Sequence, residues 1–132
     1  MTRILAIESS CDETAVAITE DGKLLCNVIS SQVAVHAKYG GVMPEIASRL
    51  HCENIDVCLK EALEQSGLKF EDMDAIAVTR GPGLIGCLHV GLQAAKTIAA
   101  LYNKPLIPVH HLCGSLSWIR LFKGTFGYKH RL

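Results

Sequence analysis

Three short runs of apolar residues begin the chain, and polar turns separate them. The runs cover residues 3–8, 15–18 and 24–31. Runs of this length and spacing predict three strands joined as an antiparallel meander. The second turn contains Asp21 and Gly22, a pair that readily adopts the positive φ angles of a tight hairpin, and so supports this prediction.

The apolar positions that follow predict two helices and two further strands. Residues 44–66 carry apolar side chains at helical spacing, with Pro44 suited to the first turn and Gly67 suited to the C-terminus. The other predicted elements are a strand, a helix and a strand over residues 75–79, 84–102 and 106–109. The order βββαβαβ is typical of a mixed α/β sheet covered by helices, the ribonuclease-H-like arrangement.

The length of the chain and the distribution of its apolar residues indicate its domain size and its cellular location. A chain of 132 residues suffices for one small domain with a hydrophobic core. No apolar run reaches the roughly 18 uncharged residues of a membrane-spanning helix. Glu8, Asp12 and Glu13 occupy the place where the apolar part of a signal peptide would lie. We therefore predict a cytoplasmic protein that does not contact a membrane.

Two features of the composition leave alternatives open. All 13 acidic residues lie at or before Asp74, so the remainder of the chain is basic. A basic half suits an anionic ligand or RNA, but buried elements without acidic residues would give the same pattern. The six cysteines form no Cys-x-x-Cys pair, which indicates ordinary thiols in place of a zinc or redox motif.

Residues 81–86, the glycine turn, read Gly-x-Gly-x-x-Gly between a predicted strand and a predicted helix, a pattern found in dinucleotide-binding proteins. Here, however, three antiparallel strands precede the motif, and no acidic residue follows Asp74 to bind a ribose. No Gly-Lys-Ser/Thr sequence follows either, which excludes a Walker A loop. Two interpretations remain. The backbone of Gly81 and Gly83 faces an anionic substrate, or the residues form a tight turn without a ligand.

Residues 8–14, the acidic turn, combine three carboxylates and three hydroxyl groups between the first two strands. Such a turn can bind phosphate through N–H and hydroxyl groups. It can also position a metal or a general base through Asp12 and Glu13. A polar hairpin tip without a ligand would have the same composition, so the sequence alone leaves these alternatives open.

A histidine pair, His110 and His111, follows the last predicted strand. A second metal ligand four residues further on would fall on Gly114 or Ser115, so the metal motif is incomplete and a structural hydrogen-bonding role is the alternative. Ligands bind at the carboxyl ends of the strands in open α/β sheets. We therefore expect the acidic turn, the glycine turn and the histidine pair to converge on one crevice.

Several long segments of the chain resemble the tRNA N6-adenosine threonylcarbamoyltransferase family, historically called O-sialoglycoprotein endopeptidases. The segments are ILAIESSCDET, SQVAVHAKYGGVMPEIASR, AVTRGPGLIGCLHVG and PLIPVHHL. Their order and spacing agree with the family over about residues 3–114. The family belongs to the actin/sugar-kinase/Hsp70-like superfamily. Nothing in the chain supports the protease name, because it lacks a nucleophile–base pair and a complete zinc motif.

The resemblance implies transfer of a threonylcarbamoyl group from threonylcarbamoyl-adenylate to N6 of adenosine 37, beside the anticodon of ANN-decoding tRNAs. It also implies one divalent metal, iron or zinc, and in bacteria two partners, a paralogous non-catalytic protein and a small ATPase. His111 matches the family's first metal histidine. Asp12 and Glu13 match the catalytic positions. The substrate-binding positions match Ser10, Gly41, Glu45, Gly81 and Gly83.

The chain departs from the family after the histidine pair. Ser115 stands where the family has its second metal histidine, and the third ligand, the phosphate loops and the second lobe belong to a later segment that this sequence does not contain. We interpret residues 1–114 as a partial N-terminal lobe and residues 115–132 as a divergent tail. Codons that encode Cys113 to Leu116 can, when they are read one base later, encode the family's second metal histidine. We therefore hypothesise a frameshift that begins near Cys113.

Two functions follow from this sequence. The first is the family's acyl transfer, with the metal bound by His111. The second is a non-catalytic fragment or pairing module that binds a paralogous partner protein through its helical face.

Overall fold

The computed structural model describes residues 2–10, 13–81 and 84–110, and within them a five-stranded sheet covered by two long helices. The strands have the order β3-β2-β1-β4-β5. Their bounds are β1 Arg3–Glu8, β2 Glu13–Glu20, β3 Lys23–Ser31, β4 Ala75–Gly81 and β5 Leu106–His110. The helices are α1 Val33–Ala37, α2 Pro44–Ser66 and α3 Ile85–Leu101.

Strand pairing in the sheet is mixed, as predicted. β1, β2 and β3 pair antiparallel, whereas β4 and β5 extend the sheet parallel to β1. Asp21 and Gly22 join β2 to β3 with φ angles of 52° and 81°, which confirms the predicted hairpin turn. The parallel pairings place the carboxyl ends of β1, β4 and β5 at one edge of the sheet.

The hydrophobic core lies between the sheet and α2 and α3. Alternate residues of the strands point to this face, where they are fully buried; examples are Leu5, Ile7, Val16, Ile18, Ile76 and Val78. Burial of a large aliphatic side chain contributes about 1.5–3 kcal/mol, so these positions account for much of the stability. The opposite face carries small buried side chains, among them Ala6, Ala17 and Ala77.

The long helix α2 has the bounds that the sequence predicts. Pro44 lies in its first turn, and Gly67 ends it with a φ of 72° and an N–H donated to the Leu63 carbonyl. Within the described residues, no helix is both long enough and apolar enough to span a membrane.

Several predicted boundaries differ from the structure. No element was predicted between residues 31 and 44, whereas α1 forms a single helical turn there that is too short to show a periodic pattern. β2 is longer than the predicted 15–18 because Glu13 pairs with Ser31 in β3. The predicted connector before β4 contains a 3₁₀ turn at Phe70–Asp72. β4 and β5 extend beyond 79 and 109, and α3 is one residue shorter than predicted at each end.

Candidate functional site

The carboxyl edge of the parallel strands brings together the segments that the sequence analysis expected to converge. Gly81, at the end of β4, pairs with His110 at the end of β5, after a shift in register beyond Thr79. The Leu84 N–H donates a hydrogen bond of 2.8 Å to the Ser10 carbonyl, which joins the glycine turn directly to the acidic turn. In the described part of the chain, the geometric convergence is therefore present.

Glu8 lies at the centre of this edge and is only 7% exposed. One carboxylate oxygen accepts the Ser10 N–H at 2.6 Å, and the other accepts the Thr79 hydroxyl at 2.7 Å. The sequence analysis counted Glu8 among the acidic residues but did not identify this role. The alternation of β1 gives no indication that its last side chain is buried against β4.

Ser9 anchors the start of α3 against β1. Its hydroxyl donates to the Cys87 carbonyl at 2.6 Å and accepts the Gly91 N–H at 3.0 Å. A Cβ atom added to Gly91 would lie 2.4 Å from the Ser9 Oγ, so only glycine permits this close approach. The glycine turn is thus held in place by a contact one helical turn beyond it.

The first turns of α2 and α3 lie side by side at the same edge. A Cβ atom added to Gly86 would lie 2.5 Å from the Ser48 Oγ, and this oxygen is 3.8 Å from the Cys87 Sγ. Leu84 supplies no side-chain cap to α3, whose first turn contains no acidic residue. Free N–H groups and the positive end of the helix dipole favour an anion at such a helix start.

A second buried contact lies just beyond the acidic turn. The Thr14 hydroxyl and the His51 Nδ1 are 2.6 Å apart, and both side chains are fully buried. Thr14 directly follows Glu13 at the start of β2, so this contact connects α2 to the end of the turn. The sequence analysis did not identify His51, because a lone histidine within a helical pattern gives no signal of a partner 37 residues away.

The described candidate residues differ in exposure. Glu13 and Gly81 are partly exposed at the carboxyl edge, whereas Gly41 and Glu45 are exposed at the start of α2. Ser10 is buried, and its backbone N–H and carbonyl bond to protein atoms. The roles that the sequence assigns to these five residues stay predictions.

Three further candidates, Asp12, Gly83 and His111, lie outside the described residues, as do the proposed boundary at residue 114 and the frameshift near Cys113. Among the residues that the structure describes, no group of three or more His, Cys, Asp or Glu side chains could hold a metal ion. The described residues alone therefore do not fit a complete metal site.

The buried thiols near the core favour the protonated form. Burial raises the pKa of the Cys26, Cys58 and Cys87 thiols. A contact with the Ser48 hydroxyl partly offsets this effect on the pKa of Cys87. A protonated thiol is a poor nucleophile, so these three cysteines act as small core residues.

Comparison with known proteins identifies the family. A family model described as TsaD, tRNA N6-adenosine threonylcarbamoyltransferase, matches residues 23–126. This chain belongs to that family. The family resemblance drawn from the sequence motifs is therefore confirmed.

Curated relatives named tRNA N6-adenosine threonylcarbamoyltransferase match most of the chain. The relative from Kosmotoga olearia is 60% identical over 114 residues, which are 86% of this chain and 34% of that protein. The relative from Limosilactobacillus fermentum is 53% identical over 126 residues, 95% of this chain and 36% of that protein. The chain thus spans about a third of the length of these relatives.

Solved structures with a similar fold support the architecture. YeaZ from Pseudomonas aeruginosa superposes with a TM-score of 0.66 at 22% identity, covering 84% of this chain and 46% of that one. RuvC from T. thermophilus, solved with a Holliday junction substrate, has a TM-score of 0.50 at 13% identity, covering 96% of this chain and 80% of that one. These likenesses confirm the ribonuclease-H-like mixed sheet and concern the fold alone.

Proposed function

We propose that this chain supplies part of the active site for threonylcarbamoyl transfer from threonylcarbamoyl-adenylate to N6 of adenosine 37 in tRNA. The observation that carries the proposal is the hydrogen bond from the Leu84 N–H to the Ser10 carbonyl, because it places the acidic turn against the glycine turn at the ligand-binding edge of the sheet. Membership of the family supplies the chemistry.

The proposed reaction needs a proton acceptor and a site for an anionic leaving group. The N6 nitrogen attacks the carbamoyl carbon, the bond from that carbon to the phosphate oxygen breaks, and AMP leaves. The N6 proton passes to a carboxylate, for which we propose Asp12 or Glu13. The start of α3 suits the phosphate, because the first N–H groups of a helix have no acceptor within the helix. The proposed substrate contacts are Ser10, Gly41, Glu45, Gly81 and Gly83.

We also propose His111 as one ligand of a single divalent ion, iron or zinc. Imidazole suits either metal, and a bound ion would polarise an oxygen of the substrate. Because the described residues do not form a complete metal site, every step proposed above uses protein side chains and backbone groups only.

A second candidate function is pairing with a paralogous protein, and an apolar groove favours it. The groove lies between α2 and α3, has a volume of about 510 Å³, and is lined by residues that include Ile55, Leu59, Val90, Ala94 and Ile98. An apolar groove between two helices suits a helical partner of the same fold. In this account the chain contributes a subunit contact, and the small ATPase would join the resulting assembly.

An assay of the purified chain separates the two candidates. The chain is incubated with tRNA, threonylcarbamoyl-adenylate and Fe²⁺ or Zn²⁺, and threonylcarbamoyl-adenosine is measured by mass spectrometry of digested tRNA. Turnover by the chain alone would rule out a purely pairing role. A chain that binds the adenylate without turnover would agree with a partial site, and a chain that binds neither substrate would contradict the proposed transfer function.

Cys52 gives a direct test of the pairing function, since this exposed thiol lines the groove. We expect the paralogous partner to slow alkylation of Cys52 by roughly tenfold, because a bound protein excludes the reagent. Substitution of Val57, which is exposed on α2 but outside the groove, should leave that protection unchanged. Unchanged alkylation at saturating partner would exclude this face as the contact.

A further inference from the structure

The buried carboxylate of Glu8 contacts both turns of the candidate site. Its two oxygens accept hydrogen bonds from different segments, the Ser10 N–H of the acidic turn and the Thr79 hydroxyl just before the glycine turn. Both bonds are short, at 2.6 and 2.7 Å, and all three residues are buried. The two oxygens of one buried side chain are therefore bonded to two different segments of the chain.

A third hydrogen bond closes the arrangement. The Ser10 carbonyl accepts the Leu84 N–H, so Ser10 is bonded on one side to Glu8 and on the other to the glycine turn. Glu8 is thus bonded to β4 through the Thr79 hydroxyl. Through Ser10 it is also linked to Leu84, the residue that precedes α3. These hydrogen bonds join the two turns through three buried residues, Glu8, Ser10 and Thr79, and through the half-buried Leu84.

The sheet explains why these groups meet. Glu8 ends β1, and Thr79 lies two residues before the end of the neighbouring parallel strand β4. The register of these strands pairs Ile7 with Val78. Side chains alternate along a strand, so Glu8 and Thr79 both lie on the face opposite α2 and α3. A one-residue shift in this register would separate the carboxylate from the hydroxyl.

We propose that Glu8 and Thr79 form a clasp that holds the acidic turn and the glycine turn in a fixed relative position, which makes Glu8 a positioning residue for the transfer reaction. This inference rests on the proposed function as regards catalysis, but the clasp itself can be tested independently. It differs from a purely local role of Glu8, in which loss of the Thr79 hydroxyl would leave the acidic turn undisturbed.

The first test measures amide hydrogen exchange in the complete chain by NMR. Thr79→Val removes the hydroxyl and keeps the shape of the side chain, and it touches neither the Ser10 nor the Leu84 amide. We expect both amides to exchange roughly tenfold faster, while the Ile55 amide in the middle of α2 reports any global loss of stability. Thr79→Ser should restore slow exchange, and Thr97→Val, at an exposed site on α3, should have no effect. Unchanged exchange at Ser10 in Thr79→Val would overturn the clasp.

The second test measures catalysis in a chimera in which the 114 matching residues of this chain replace the corresponding segment of the Kosmotoga olearia relative. We expect Thr79→Val to lower kcat roughly tenfold with KM for the adenylate nearly unchanged, and Thr79→Ser to recover most of kcat. A normal kcat in Thr79→Val would overturn the positioning role. If the unsubstituted chimera folds but forms no product, the proposed function fails, and the exchange rates still decide whether the clasp exists.

Discussion

Individual buried polar contacts fix the geometry of the candidate site. Glu8 holds the first half of the acidic turn through Ser10, and the contact between Thr14 and His51 holds the residue that follows its last carboxylate. Polar groups in the interior are costly unless they are hydrogen-bonded, so each contact favours one arrangement of the turn over alternatives. We therefore expect the turn to be rigid at both ends.

Replacement of Thr14 by valine tests this account at the residue scale. The substitution keeps the side-chain shape but removes the hydroxyl that bonds to the buried His51 Nδ1. We expect the free energy of unfolding to fall by about 1–3 kcal/mol, measured by urea denaturation. Thr97→Val at an exposed site should change it by less than about 0.5 kcal/mol. Equal stability of Thr14→Val and the unsubstituted chain would contradict the importance of this contact.

Residue-level contacts are the part of the site that the sequence could not predict. The motifs correctly predicted that Glu13 and Gly81 lie at the carboxyl edge of the parallel strands. This was possible because the order of the elements along the chain and the positions of the turns follow from local patterns. The burial of Glu8 and the partner of His51 depend on which residues of distant segments meet. Glu8 and Thr79 are 71 residues apart in the sequence, and no local pattern predicts a contact between residues so far apart.

Packing of α3 against β1 is the decisive contact at the scale of elements. The helix approaches the strand closely because Gly91 presents no side chain to Ser9. This approach places the glycine turn beside the acidic turn. The bounds of α2 were predicted closely because its apolar periodicity is long. By contrast, β2 was predicted too short, and α1 was missed because five residues are too few to establish a period.

Gly91→Ala tests that helix–strand contact. In an isolated helix this change is stabilising by roughly 1 kcal/mol. Here the new methyl group would meet the Ser9 Oγ and the Ile7 side chain, so we expect a net loss of about 1–3 kcal/mol in the free energy of unfolding.

A double-mutant cycle with Ser9→Ala serves as the control for Gly91→Ala. Removal of the Ser9 hydroxyl should offset part of the overpacking, so the two changes together should destabilise less than their sum. A stabilised Gly91→Ala protein would show that the helix does not approach β1 as described.

At the scale of the whole molecule, the buried thiols link stability to pH. Burial raises the folded-state pKa of Cys26, Cys58 and Cys87 above the unfolded value of about 8.5. Above that value the unfolded chain binds fewer protons than the folded chain, so folding loses stability as the pH rises through the folded pKa values.

We therefore expect the urea midpoint to be insensitive to the thiols below about pH 8.5 and to fall above it. The triple variant with alanine at Cys26, Cys58 and Cys87 should show a shallower fall between neutral and alkaline pH. Cys52→Ala serves as the matched control, because this thiol is exposed. An identical pH slope in the triple variant and the unsubstituted chain would contradict the linkage.

The whole molecule carries one side of the proposed active site. Its fold aligns the acidic turn, the glycine turn and the end of β5 at one edge, and the chain covers about a third of its curated relatives. We expect this edge to perform threonylcarbamoyl transfer when the remaining two thirds of a relative are joined to it.

Product formation by the Kosmotoga olearia chimera tests whether this edge of the sheet supports threonylcarbamoyl transfer. The unsubstituted chimera should form threonylcarbamoyl-adenosine in tRNA, and Asp12→Asn combined with Glu13→Gln should lower kcat by roughly 100-fold because both proposed proton acceptors are removed. Glu20→Gln, at the opposite end of β2 from Glu13, should change kcat by less than about twofold. A folded chimera without product, or a double variant with unchanged kcat, would contradict the proposed transfer function.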